Sequence, residues 1–369
     1  MNALLNKYQA LYLHIPFCAS RCNYCNFFTK AIAADSSEIS EYVDKLILEI
    51  RKASRAGELS NIRTIYIGGG TPSFIGQREL VRLAYALSTA MILNANTEFT
   101  VEANPDSVQA AMIRDLYSLG VNRFSLGVQS FNNNELVALG RRHSSAQAKA
   151  AIEVIQERCE NVSIDLMCGI PLQTINSWQQ TLTTAINTEV KHISVYPLSI
   201  EENTPLYESI RLHDIADEDI QADMMLKAAE LLTAAAYNRY EIASFAKQGF
   251  KCKHNIAYWT GVPYLGIGTA AAGMRHLTDG RERLLDGKVI ETLNKKESIL
   301  EDVMLALRMT NGVSDSMLKL AYTYIPKLAQ TITSLYDQGL LRRTADAYCL
   351  SKRGWLLGNL VFAEIWSLA

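Results

Sequence analysis

Between Leu11 and Pro197 the chain alternates, six times over, a short apolar run with a longer stretch of helical periodicity. The short runs are Leu11–Ile15, Thr64–Ile67, Glu98–Glu102, Arg123–Val128, Val162–Met167 and His192–Pro197. They are rich in Val, Ile, Phe or Tyr and have the length of buried parallel strands. Helical patterns fill the spaces between them: Ile39–Ala53 (Tyr42, Leu46 and Ile50 on one face), Leu80–Leu93, Ser107–Leu119, Asn134–Leu139, Ala146–Glu157 and Ser177–Asn187. Asp217–Ala236 predicts one further helix, whose acidic first turn suits the helix dipole. Parallel strands joined by right-handed helical crossovers leave two solutions, an α/β barrel or an open α/β sheet.

The pattern changes beyond this region. Asn255–Gly273 is rich in glycine and aromatic residues and reads as irregular or short-stranded, and Asp279–Asp286 reads as a charged turn. From Lys295 three helical patterns precede a turn at Gly339 and two short segments, Leu340–Thr344 and Ala347–Leu350, an order like that of a small winged-helix unit. The expected division is a barrel with its following segment over 1–275, a linker over 276–294 and a mainly helical unit over 295–369. With 36 basic and 38 acidic residues the formal net charge is −2, which gives no global electrostatic reason to expect nucleic acid or an anionic membrane as partner. No apolar run of about 18 residues predicts a membrane span. Met1–Ala10 lacks the apolar core of a signal peptide, so a reducing cytoplasm is expected.

In that compartment the seven cysteines do not read as a disulfide framework. Three form Cys18-x3-Cys22-x2-Cys25, directly after the first strand, and so short a loop makes them converge on one centre. A structural zinc site would want a fourth ligand, which His14 could supply. A [4Fe–4S] cluster normally takes four cysteines, so three would leave one iron with an open position. Gly68-Gly-Gly-Thr71 follows the second strand, where glycines allow positive φ and close approach of a ligand to the backbone. Glu102, Gln129, Arg141 and Asp165 lie at or just beyond successive strand ends, the face on which barrels build their sites. A polar group within such a run is costly without a partner. Arg142 competes with Arg141, and spacing from Gln129 favours Arg141.

Leu11-Tyr-Leu-His-Ile-Pro-Phe-Cys18 with Cys22-Asn-Tyr-Cys25 resembles the signature of the radical S-adenosylmethionine (SAM) superfamily. More narrowly, it is similar to the oxygen-independent coproporphyrinogen oxidase group and its HemW-type haem-chaperone branch. The resemblance implies a partial (β/α)6 TIM-like barrel in which Cys18, Cys22 and Cys25 ligate a [4Fe–4S] cluster. There the methionyl moiety of SAM chelates the unique iron, and an electron from the reduced cluster cleaves SAM to a 5′-deoxyadenosyl radical. It further implies that Gly69, Gly70 and Thr71 contact the SAM amino group. Glu102, Gln129, Arg141 and Asp165 correspond to residues that bind the ribose and the methionyl carboxylate and ammonium. Tyr12 would be an adenosyl-pocket or cluster-side contact.

His254-Asn-Ile-Ala-Tyr-Trp259 matches the haem-associated motif of the chaperone branch, which makes His254 a candidate haem ligand, with Cys252 as an alternative thiolate. Three departures stand out: Phe27 where the decarboxylating oxidases carry a further cysteine, Leu172 for a glycine in Gly169-Ile-Pro-Leu-Gln-Thr174, and Ala272 where relatives tend to carry histidine. The function implied first is a haem chaperone. It would bind haem and deliver it to recipient haemoproteins, respiratory ones included, in the cytoplasm or peripherally at the membrane. Phe27, the His254 motif and the roughly ten residues before strand 1 favour it over the oxidase, whose N-terminal arm is longer. Oxidative decarboxylation of coproporphyrinogen propionates to vinyls is the alternative, and a radical SAM methyltransferase or haem-degrading activity the second alternative. His143, His192, His213 and His276 read as core or surface histidines. Cys159, Cys168 and Cys349 read as buried thiols, and Met224 and Met225 as core.

Overall fold

The computed structural model describes residues 8–209 and 217–369; His213 lies outside them, as does most of Met1–Ala10. The six expected strands are present as β1 (Ala10–Ile15), β2 (Thr64–Gly69), β3 (Glu98–Ala103), β4 (Arg123–Gln129), β5 (Val162–Cys168) and β6 (His192–Pro197). Each pairs in parallel with the next. The crossovers carry α1 (Ser37–Arg55), α2 (Gly76–Ala90), α3 (Ala110–Ser118), α4 (Ser145–Gln156) and α5 (Ile175–Asn187), and α6 (Glu218–Ala234) follows β6. Reciprocal capping boxes, Ser144 with Gln147 and Thr174 with Ser177, set the starts of α4 and α5.

The strands are not apolar on both faces. Leu11, Leu13, Ile65, Ile67, Phe99, Val101, Phe124, Leu126, Ile164 and Val195 belong to one buried core with the helices. Their neighbours in the period-2 pleat are Tyr12, His14, Tyr66, Glu98, Glu102, Arg123, Ser125, Ser163, Asp165, His192 and Ser194. The sheet curls around this polar face. Glu102 of β3 is close enough to Asp165 of β5 and Tyr196 of β6 to feel their charge, although neither strand is adjacent to its own. The result is a half-closed barrel with an apolar outside under helices and a polar lumen.

The segment after α6 completes the sheet. β7 (Asn238–Arg239) and β8 (Ser244–Ala246) extend the β6 edge antiparallel. At the opposite edge β9 (Tyr264–Ile267), in the stretch expected to be irregular, pairs in parallel with β1. β10 (Ala272–Leu277), β11 (Gly280–Leu285) and β12 (Lys288–Leu293) then form an antiparallel meander, giving the order β12-β11-β10-β9-β1-β2-β3-β4-β5-β6-β8-β7. The expected linker over 276–294 is therefore corrected. Positive φ at Gly280 and Gly287 makes the two turns, and the charges that suggested a solvated turn are paired. Arg275 meets Glu282, Arg283 meets Glu291, and buried Arg281 donates to Glu301 at 2.8 Å and to Asp302 at 2.5 Å.

Glu301 and Asp302 lie on α8 (Lys295–Leu307), so these ion pairs pin the meander to the C-terminal unit. That unit has its own apolar core. It contains helices Asp315–Tyr324 and Lys327–Asp337, a three-stranded wing of Val313–Ser314, Leu341–Arg343 and Ala347–Leu350, and a last helix Gly358–Trp366. No helix among the described residues is long and apolar enough to cross a membrane.

Candidate cofactor site

At the C-terminal ends of the parallel strands lies a cavity of ≈ 490 Å³, within the size range of small-molecule and cofactor sites. Cys18, Cys22, Cys25, Gly69, Gly70, Thr71, Glu102, Gln129, Arg141 and Asp165 all line it. Of the expected SAM-contact residues Tyr12 alone does not. It stands behind the wall, its hydroxyl 2.9 Å from His14 Nδ1, while His14 Nε2 reaches the Phe28 carbonyl at 3.0 Å. The second bond anchors the cysteine loop to β1, and the first fixes the His14 ring that makes it.

The glycine run is explained by that loop. A Cβ on Gly70 would lie 2.9 Å from Cys18 Sγ and 2.8 Å from the Phe17 carbonyl oxygen. Gly69 has φ +118°, and a Cβ there would lie 2.7 Å from the His14 ring. The amide protons are spent within the protein: Gly69 donates to Glu102 Oε2, Gly70 to the Ile15 carbonyl and Thr71 to the Phe17 carbonyl. What the run can offer a ligand is carbonyl oxygen, which suits an ammonium group. Thr71 Oγ1 lies 3.5 Å from Cys18 Sγ.

On the opposite wall Arg141 is held by Asn104 Oδ1 at 2.6 Å and the Gly127 carbonyl at 2.5 Å, and it directs Nη1 to Cys22 Sγ at 3.5 Å. Arg142 also reaches the cavity's lining, where its Nε lies 3.8 Å from Asp106. A Cβ on Gly127 would sit 3.2–3.3 Å from Gln129 Nε2, Arg141 Nη2 and Asn104 Oδ1, so the glycine opens this polar cradle. Gln129 has φ +66° at a register shift between β4 and β5, the kind of backbone irregularity that re-aims a side chain at a site. Burial pushes the Glu102 carboxyl up to about 7, against the Tyr66 and Gly69 hydrogen bonds that favour its ionised form. Burial likewise raises Asp165 and the Cys18 and Cys25 thiols.

The donor set fits an iron–sulfur cluster. Soft thiolates beside a guanidinium suit an anionic Fe–S group. A single zinc would draw its sulfurs to about 2.3 Å from one point. Among the described residues no three His, Cys, Asp or Glu side chains are placed to hold one metal ion. A polynuclear cluster gives each thiolate its own iron and does not require such closeness. Two residues in this cavity went unremarked at the level of sequence. Asn104, which carries Arg141, lies two residues beyond Glu102 in the same Glu-Ala-Asn-Pro stretch. Tyr24 sits between the second and third cysteines, its phenol raised by burial beside Arg141.

His254, the candidate haem ligand, does not line this cavity. It starts helix α7 (Lys253–Trp259), which closes the opposite, N-terminal end of the lumen. Its Nδ1 is 2.9 Å from Thr64 Oγ1 and its Nε2 2.9 Å from the Tyr258 hydroxyl, so neither nitrogen is open to iron. Burial pushes its pKa down to about 3. Cys252 is also buried, with Sγ 3.6 Å from Glu98 Oε1 and burial pushing its pKa up to about 12. His192, bonded to Ser163 Oγ at 2.7 Å and the Tyr240 hydroxyl at 2.8 Å, belongs to the same buried network. His143, Cys159, Cys168, Cys349 and Met224 are buried as expected. At Leu172 the turn has the positive φ (+67°) that a glycine adopts freely, with the leucine side chain 73% exposed.

The chain is similar to known proteins in both sequence and fold. The family model "Radical SAM superfamily" matches residues 12–185. The chain is 34% identical to the haem chaperone HemW of Lactococcus lactis, covering 98% of both chains. It is 33% identical to that of Escherichia coli, covering 95% of this chain and 96% of the relative. The solved structure of coproporphyrinogen III oxidase HemN from Escherichia coli superposes with a TM-score of 0.83, covering 99% of this chain and 91% of that one, at 20% identity. That last likeness establishes the fold. The chain belongs to the radical SAM superfamily and, within it, to the HemW haem-chaperone family.

Proposed function

We propose that this protein binds a [4Fe–4S] cluster through Cys18, Cys22 and Cys25, takes SAM in the adjoining cavity, and carries haem as cargo to recipient haemoproteins. The observation that carries the reading is the convergence of the cysteine loop, the glycine run and the Arg141 cradle on one cavity, in a chain similar over nearly its full length to named haem chaperones. The bound cluster would supply one-electron chemistry at an iron with an open position.

The protein's own groups then have definite tasks. Arg141 neutralises charge at Cys22 and presents a guanidinium to a carboxylate. The glycine-run carbonyls and Asp165 accept from an ammonium, and ionised Glu102 and Gln129 serve ribose hydroxyls. Phe27, 71% exposed on the cavity's lip, puts an apolar ring where the oxidases carry a cysteine. Haem delivery to respiratory proteins would place the chain in the cytoplasm or at the membrane surface.

A paired assay tests this. Anaerobically reconstituted protein is incubated with haem, and separately with coproporphyrinogen III, SAM and reductant. Stable haem binding without vinyl product is expected. Efficient formation of protoporphyrinogen would assign the oxidase activity instead.

A further inference from the structure

Tyr66 touches both ends of the lumen. Its phenol donates to Glu102 Oε1 at 2.6 Å, and Oε2 of the same carboxylate accepts from the Gly69 amide at 3.1 Å. A carboxylate held at both oxygens has one orientation. There is little slack around it: a Cβ on Gly68 would lie 2.8 Å from the Tyr66 ring and 3.0 Å from the Glu102 carboxyl. At its other side the Tyr66 ring stacks on the His254 imidazole, with centroids 5.1 Å apart and planes at 30°. His254 is fixed in turn by Thr64, two residues before Tyr66 on β2, and by Tyr258.

We propose that Tyr66 is a positioning residue for Glu102 and Gly69, and that it passes the placement of the His254 helix to the SAM station at the far end of the barrel. The proposal rests on the reading of that station given above. A ring clamped at its hydroxyl by a hydrogen bond and on its face by a stack cannot tilt without disturbing one of them. Withdrawing His254 removes the face contact, lets the phenol swing, and loosens the carboxylate that holds the Gly69 turn. By linkage, a ligand that fixes Glu102 resists withdrawal of His254 to the same extent.

Amide hydrogen exchange over Gly68–Thr71 in the full-length protein tests this without cofactors, alongside equilibrium SAM binding to the reconstituted protein. Tyr66→Phe keeps the stack and deletes the donor to Glu102. It should speed exchange at Gly69 and weaken SAM binding by about tenfold each, the scale of one hydrogen bond to a charged group. His254→Ala should speed the same exchange, and the double variant should be no faster than Tyr66→Phe alone, because the effect of His254 passes through the phenol. In a Glu102→Gln background Tyr66→Phe should cost no further SAM affinity. Unchanged Gly69 exchange in Tyr66→Phe, or additive effects of the two variants, overturns the proposal. Exchange in β5 reports whether His254→Ala remains folded. Should β5 open too, His254→Phe, which restores the stack, is expected to return Gly69 to the wild-type rate, and faster exchange there also overturns it. A wild type that fails to bind SAM would remove the reading of the station, while the exchange comparison still decides the role of Tyr66.

Discussion

The two ends of the barrel lumen are built from the same strands and face the same polar interior, yet they do opposite things with polar groups. At the C-terminal end the groups stand around open space: three thiols, Gln129, Asp165 and Arg141 line a cavity. At the N-terminal end most are spent on one another, although Arg123 Nε and Nη1 and Thr100 Oγ1 are buried without a hydrogen-bond partner. Glu98 accepts from the Lys253 and His254 amides at 2.9 Å each, His192 is bonded at both nitrogens, and Arg123 is buried among Glu98, Cys252, Tyr66 and Tyr240. A buried polar group without a partner is costly, so a closed and largely paired network is a plug, and polar groups around open space are a site. Helix α7 makes the difference by capping one end only.

The largest expected contrast lies in the metal content. Replacing Cys18, Cys22 or Cys25 with Ala should abolish the brown colour and iron uptake of reconstituted protein, whereas Cys252→Ala should leave both intact. Iron analysis and visible absorption check it, and stoichiometric zinc without iron would break the assignment. Two arginines, one at each end of the lumen, sharpen the comparison through stability. Arg123→Ala leaves Glu98 its Lys253 and His254 amide donors but empties a buried site, and should cost about 2–5 kcal/mol in denaturant unfolding through the void it leaves. Arg141→Ala, facing a cavity that water can fill, should cost about 1 kcal/mol or less and act instead on SAM affinity.

The ends should also titrate in opposite senses. Glu102 is raised in the fold from 4.5 to about 7, so as pH rises through this window the unfolded chain gives up its proton first. Stability of the cofactor-free protein therefore falls from pH 4.5 to 7, by on the order of 3 kcal/mol, and Glu102→Gln should remove that fall. His254 is lowered from 6.5 to about 3, so its contribution is present above pH 6.5 and is lost as pH falls toward 3. Urea unfolding at stepped pH separates the two limbs. The smallest effect is at Leu172, where left-handed backbone costs about 1–2 kcal/mol. Leu172→Gly should recover about 1 kcal/mol of stability, read as a rise in Tm.

The parallel strands and their crossovers were legible because each apolar run kept its length and each helix its period. The inward alternation of the strands was harder to see. Tyr, Gly and Ser at lumen positions such as Tyr66, Gly68 and Ser125 do not break an apolar run as charges do. The meander over 272–293 was concealed by its own ion pairs, since Arg281 and Arg283 read as solvated until Glu301 and Asp302 come alongside from α8. The cavity residues were visible as motifs at strand ends, and Cys18, Cys22 and Cys25 line that one cavity without closing on a single point. His254 was visible as a motif too. Its partners, Thr64 and Tyr66, lie 190 and 188 positions away, and only the closed lumen brings them to it.

The contrast between the two ends turns on which of them takes the cofactors. The measurement that tests it is the EPR spectrum of the reduced, reconstituted protein with and without saturating SAM, in the wild type and in the Arg141→Ala and His254→Ala variants. A cluster signal that changes on adding SAM, with the change weakened by Arg141→Ala and retained in His254→Ala, is the predicted result. A SAM response lost in His254→Ala and untouched in Arg141→Ala would contradict the assignment of the open end of the lumen as the site and the closed end as its plug.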